Sequence, residues 1–145
     1  MSEFSENSIS IDADPDSVRK VLFDLAGYPT WSTEIKSVQV IENDDQNRPT
    51  KVKIAVDAGV LRDSVILDYD YSQAPAKLSF SLDDADLLTE MSGAYLTAEN
   101  SEGGTLVTYQ MKVGLSMPVP AMMRQKVERA TIDLALKQLK NKIEG

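Results

Sequence analysis

The stretch Ala13-Asp14-Pro15-Asp16-Ser17-Val18-Arg19-Lys20-Val21-Leu22-Phe23-Asp24-Leu25-Ala26-Gly27-Tyr28-Pro29-Thr30-Trp31 decides how the rest of the chain is read. Asp14 suits a helix N-cap, Pro15 the first helical position, and Asp16 the positive end of the helix dipole. Val18, Val21, Leu22 and Leu25 recur at helical spacing. Gly27 is expected to end this helix, and Tyr28-Pro29-Thr30-Trp31-Ser32 to form a short second helix or turn.

Outside this stretch the period changes to two. Before it, Ile9 and Ile11 alternate with Ser8, Ser10 and Asp12. After it, five further alternating segments follow: Val38 and Val40; Val52, Ile54 and Val56; Val65, Leu67, Tyr69 and Tyr71; Leu78, Phe80 and Leu82; Val107, Tyr109, Met111 and Val113. Leu87–Ala98 adds a weakly patterned strand around Gly93. Period two places alternate residues on one face of a strand. Polar turns at 43–47, 83–86 and 102–104 are short, as in an antiparallel meander. Seven strands are therefore expected.

Met117-Pro118-Val119-Pro120 separates the last strand from a long helix, about Ala121 to Ile143. On a helical wheel Lys126, Arg129, Asp133, Lys137, Lys140 and Glu144 form one narrow stripe, and apolar residues cover most of the rest. Such a helix is expected to be nearly enclosed, lying in the curve of a sheet.

Composition bounds the chemistry. The chain has 145 residues, 42% hydrophobic and 26% charged, which is one domain's worth of ordinary globular sequence (residues 1–145). It has no cysteine and no histidine. No Cys nucleophile, Ser–His–Asp triad, thiolate zinc site or imidazole metal site can be built. No catalytic residue, metal ligand or cofactor is assigned. The net charge of −8 argues against nucleic acid and anionic membranes as partners. No apolar run is long enough to span a bilayer, and the first residues do not read as a secretory signal. A cytoplasmic protein is expected.

The order β-α-α-β-β-β-β-β-β-α resembles the α+β helix-grip fold, a curved seven-stranded antiparallel sheet around a long C-terminal helix. Ala13-Asp14-Pro15-Asp16-Ser17-Val18 and Leu22-Phe23-Asp24-Leu25-Ala26-Gly27-Tyr28-Pro29-Thr30-Trp31 are similar to the opening motif of the START-like (SRPBCC) superfamily. The likeness points to its polyketide cyclase/dehydrase and lipid-transport group. Gly93-Ala94-Tyr95 and Gly104-Thr105-Leu106-Val107-Thr108-Tyr109 fit its last two strands. The resemblance implies a cavity between sheet and helix that holds a small hydrophobic molecule such as a lipid, quinone or aromatic polyketide. Some cyclase-type relatives use a histidine there, which this chain lacks, so a carrier or sensor is favoured over an enzyme.

Candidate ligand-binding residues are Trp31, Tyr69, Tyr71, Met91, Tyr95, Tyr109, Met117, Met123, Val127 and Leu134. A tyrosine offers an apolar ring and a hydroxyl donor. Methionine adapts to irregular apolar shapes. Tyr69 and Tyr71 share a face with Val65 and Leu67 and should point inward. The plainer reading of each is core packing, with Trp31 filling the space under the short helix. The segment Met117–Met123 and the segment Tyr28–Trp31 are candidate gates. Arg62, Asp63 and Glu90 are the charges considered for a site, with surface roles as the alternative. Asp83, Asp84 and Asp86 read as a solvated turn, since the run lacks the rest of a calcium loop. The rival functions are a cyclase or dehydrase, which needs a buried acid–base group beside a tyrosine or arginine, and a chaperone-like or ribosome-associated protein, which needs a filled core and a functional outer face.

Overall fold

Asp14 caps its helix as the sequence asks: its carboxylate accepts the backbone N–H of Ser17 at 3.3 Å and the Ser17 hydroxyl at 2.6 Å. The computed structural model describes residues 4–58, 62–115 and 119–145. The elements are β1 (Ser5–Ile11), α1 (Pro15–Phe23), a 3-10 helix (Leu25–Thr30), β2 (Ile35–Asn43), β3 (Pro49–Asp57), β4 (Arg62–Asp70), β5 (Lys77–Ala85), β6 (Leu88–Glu99), β7 (Thr105–Leu115) and α2 (Ala121–Glu144). The strands form one antiparallel sheet in the order β1-β7-β6-β5-β4-β3-β2. The helix-grip architecture is thus present: a seven-stranded antiparallel sheet, short helices after β1, and a long C-terminal helix.

The alternation read from the sequence sets the inner face. Val65, Leu67 and Tyr69 on β4, Leu78 and Phe80 on β5, and Val107, Tyr109 and Met111 on β7 are buried. Ile132, Leu136 and Leu139 of α2 close over them. Val18 and Leu22 bury the inner side of α1, and Arg19 ties that helix to β6 through the Thr97 hydroxyl and carbonyl.

Three local expectations are corrected. First, α1 ends at Phe23, not at Gly27. Asp24 leaves the helical region (φ −86°, ψ 78°), and Gly27 lies inside the 3-10 helix. A Cβ on Gly27 would meet the Asp24 carboxylate at 2.5 Å, so its smallness is used for contact rather than for a C-cap. Second, Asp83-Asp84-Ala85 is not a turn. A register shift between Ile66 and Leu67 lets β5 continue to Ala85 along β4, and Lys51 of β3 pairs with Asp83 at 3.1 Å. Third, α2 is not nearly enclosed. Its fully buried stripe is Glu128, Ile132, Leu136 and Leu139, while Met122, Met123 and Val127 near its start are exposed. Only one face of its first turns meets the sheet.

The buried acid on that stripe has a full set of partners. One oxygen of Glu128 accepts the Ser5 hydroxyl at 2.7 Å. The other accepts the Val113 backbone N–H at 2.7 Å and Arg124 at 2.8 Å. Glu128 thereby joins β1, β7 and α2, and its charge is met by a cation and two further donors.

Candidate functional site

The inner sheet face and α2 enclose a cavity of about 70 Å³. A buried water needs roughly 10–15 Å³ on this kind of measure, so the space suits a few waters or one small ring. Its walls come from almost every element: Ile35 of β2, Ile54 and Val56 of β3, Val65, Leu67 and Tyr69 of β4, Phe80 of β5, Met91 and Tyr95 of β6, Tyr109 and Met111 of β7, and Thr131, Leu134, Ala135 and Gln138 of α2. Tyr28, Ser32 and Glu34 close the end next to the 3-10 helix.

Sheet register builds the aromatic wall. Tyr95 and Tyr109 are direct partners across β6 and β7, and their rings stack at 4.0 Å and 12°. Tyr69 and Phe80 are partners across β4 and β5, with centroids 5.6 Å apart. Phe80 reaches Tyr109 at 6.4 Å because its partner on β6 is Gly93. A Cβ there would come within 2.9 Å of the Phe80 ring and 2.2 Å of the Gln110 carbonyl oxygen. The space beside Gly93 thus belongs to Phe80 rather than to Tyr95.

The tyrosines divide by what their hydroxyls do. Tyr28 donates to the Leu22 carbonyl at 2.5 Å, and Tyr71 to the Pro49 carbonyl at 2.6 Å. The hydroxyls of Tyr95 and Tyr109 influence one another's ionisation, and that of Tyr69 has no hydrogen-bond partner among the described residues. Burial pushes the ionisation of Tyr69, Tyr95 and Tyr109 far above neutral pH. All three remain phenols, able to donate to an acceptor in the cavity.

Glu34 is the acid of this cavity, and nothing in the sequence pattern marked it. It precedes β2, where period two has not begun. Its backbone is fixed, since its carbonyl accepts the Asp57 N–H at 2.8 Å. Burial raises its pKa above the ordinary value of 4.5, with no donor or cation among the described residues to oppose the shift.

Two further spaces lie beyond this cavity. The first, about 50 Å³, shares Glu34, Val56, Met91, Met111 and Thr131 with it and is also lined by Asp63, Val127 and Glu128. The second is an outer groove of about 330 Å³ between the start of α2 and the ends of β6 and β7, lined by Leu88, Val113, Leu115, Met123, Lys126 and Val127 among others.

Of the candidate ligand residues, Tyr69, Met91, Tyr95, Tyr109 and Leu134 are brought together in the inner cavity. Met123 and Val127 lie in the outer groove. Trp31 and Tyr71 reach neither. Trp31 packs edge-on against Tyr28 at 5.2 Å, and its buried indole N–H has no partner among the described residues. Tyr71 sits at the far end of its strand face, edge-on to Phe23 and beneath the Arg48 guanidinium at 4.7 Å. Met117 lies outside the described residues.

The candidate charges also separate. Arg62 is exposed and pairs with Asp57 at 3.3 Å. Glu90 is exposed and pairs with Lys112 at 3.5 Å. Asp63 is buried, but its carboxylate accepts the backbone N–H groups of Ser64, Asp86, Leu87 and Leu88, which organises the β5–β6 turn. Among the described residues no cluster of acids is arranged to hold a metal ion, and no helix is long and apolar enough to cross a membrane.

A family model described as polyketide cyclase/dehydrase and lipid transport matches residues 5–144. The chain belongs to that family. Solved structures agree on its fold. A START superfamily protein from Mycobacterium smegmatis superposes with a TM-score of 0.92 at 20% identity, covering 99% of this chain and 98% of that one. The ZhuI aromatase/cyclase from Streptomyces sp. R1128 gives 0.74 at 15% identity, over 98% and 93%. The major latex-like protein 151 of Panax ginseng gives 0.77 at 9% identity, over 99% and 98%. A search of curated proteins finds no match.

Proposed function

We propose that this protein is a single-domain carrier or sensor that binds a small hydrophobic molecule in the inner cavity. The observation that carries this reading is a mostly apolar cavity lined by a phenol, Tyr69, whose hydroxyl has no hydrogen-bond partner among the described residues. Ligand pockets have this composition: apolar walls with a few placed polar groups. Affinity would come from apolar contact, at about 25 cal/mol per Å² buried, with Tyr69, Tyr95 or Tyr109 donating to a carbonyl or ether oxygen. Ligands larger than one ring need the cavity to join the neighbouring space past Met91, Met111 and Thr131. The outer groove beside Met123 and Val127 is the entrance this reading favours.

The cyclase or dehydrase reading is supported by Glu34, an acid close enough to Tyr109 to raise its pKa. It is weakened by the lining, which among the described residues holds no Lys or Arg to stabilise an enolate. The binder reading is therefore preferred.

Native mass spectrometry against a panel of lipids, quinones and aromatic polyketides tests it, with Trp31 fluorescence as a second readout. Retained ligand, weakened by about tenfold in Tyr69→Phe, is expected for the loss of one buried hydrogen bond. A panel with no retained ligand sinks the reading.

A further inference from the structure

Among the described residues, the two inner spaces are lined by three carboxylates, Glu34, Asp63 and Glu128, and by no Lys or Arg. Two of the three are already satisfied. Asp63 accepts four backbone N–H groups. Glu128 accepts Ser5, Val113 and Arg124. Glu34 alone of the three meets no donor or cation among the described residues.

Its position is nevertheless built. Thr33 N–H donates to Gln138 Oε1 at 3.1 Å, and the Gln138 amide donates back to Thr33 Oγ1 at 2.8 Å. The Glu34 carbonyl accepts Asp57 N–H at 2.8 Å, and Ile35 N–H donates to the Ser32 carbonyl at 3.3 Å. The segment is thus pinned to α2 on one side and β3 on the other. Gln138, the amide of the lining, is itself held by this pair of bonds to Thr33, its oxygen accepting the Thr33 N–H and one of its N–H groups donating to Thr33 Oγ1.

We propose that Glu34 makes the cavity selective for neutral or cationic molecules that carry a hydrogen-bond donor, such as an aryl alcohol or arylalkylamine, and against carboxylates and phosphates. The proposal rests on the cavity being a ligand site. A donor on the ligand gives the Glu34 carboxylate the partner it lacks and offsets its burial. An anion placed there has a like charge beside it and only phenols to receive it. The aromatic wall, where the Tyr69 hydroxyl has no hydrogen-bond partner among the described residues, is suited to an acceptor. The occupant is then a two-ended molecule, with its donor toward the 3-10 helix and its acceptor toward the aromatic wall. Fatty acids and phospholipid headgroups fall outside this class.

The test uses one apolar skeleton with four heads: benzylamine, benzyl alcohol, toluene and benzoate. Binding is followed by amide shifts in ¹H–¹⁵N spectra of the intact protein and of Glu34→Gln. Benzylamine and benzyl alcohol are expected to bind at least about tenfold more tightly than benzoate. In Glu34→Gln the amine-to-benzoate ratio should fall below about threefold while toluene affinity stays the same. Benzoate binding as tightly as benzyl alcohol overturns the proposal, as does an unchanged ratio in the variant. Toluene binding without discrimination among heads removes the selectivity but leaves the cavity reading standing. If none of the four binds, the cavity reading fails and the selectivity fails with it.

Discussion

The carboxylate of Glu128, without solvent exposure, accepts the backbone N–H of Val113 at 2.7 Å. This bond crosses from the first third of α2 to the end of β7, beside the smaller inner space and the outer groove. Replacing Glu128 by Ala leaves the Val113 N–H and the Ser5 hydroxyl without partners and Arg124 without its counter-charge. A loss of about 3 kcal/mol is expected. Urea denaturation measures it, and a loss under about 1 kcal/mol would show that water replaces the carboxylate freely.

Asp63 holds the β5–β6 turn by the same means. Asp63→Asn keeps the volume but replaces one acceptor oxygen by a donor. About 1–3 kcal/mol of stability should be lost. Hydrogen exchange should speed up first at Leu87 and Leu88, whose N–H groups the carboxylate receives. Uniform acceleration across the sheet would mean that the turn is not the local weak point.

Gly93 is tested by adding one methyl. Its Cβ would lie 2.2 Å from the Gln110 carbonyl oxygen, which is backbone and cannot swing away. Gly93→Ala should cost about 3 kcal/mol or more, the upper end of overpacking penalties. A double variant with Phe80→Leu should recover little, since the closest clash is not with the ring. Full recovery would place the strain on Phe80 instead.

Glu34 carries a pH signature. Its folded pKa is raised because burial disfavours the carboxylate. The protonated form is therefore the one the fold prefers. Its contribution is fully present below the ordinary value of 4.5 and is lost as pH rises through the folded value. Glu34→Gln should raise Tm at pH 7, and the gap between variant and parent should close as pH falls below about 4.5. A gap that widens toward acid would reverse the sign assigned to this group.

The strand faces and the element order were legible because each rests on a local period. The Val65, Leu67, Tyr69 series pointed inward as alternation requires. Glu128 was missed: it falls at i−4 from Ile132 and i−8 from Leu136 on the apolar stripe, but a wheel sorted by polarity passes over it. Glu34 was not legible: it stands between a 3-10 helix and a strand, and its inward position is set by Asp57, Thr33 and Gln138. The extent of β5 was hidden for a related reason. Three acidic residues in four resemble a turn until Lys51, a distant strand neighbour, is placed beside Asp83.

The pairing of β1 with β7 has a consequence for how the chain assembles. Ser8 bonds to Thr108, Ser5 to Glu128 and Asp12 to Glu144, separations of 100, 123 and 132 residues. β1 is made well before its ladder partner β7. Until β7 and α2 exist, β1 is an unpaired edge carrying Ile9 and Ile11 without their core. Closing so long a loop before any contact rewards it makes folding slow, in the range of milliseconds to seconds for sheets of high contact order. The nascent chain is exposed to wrong strand pairing during that interval.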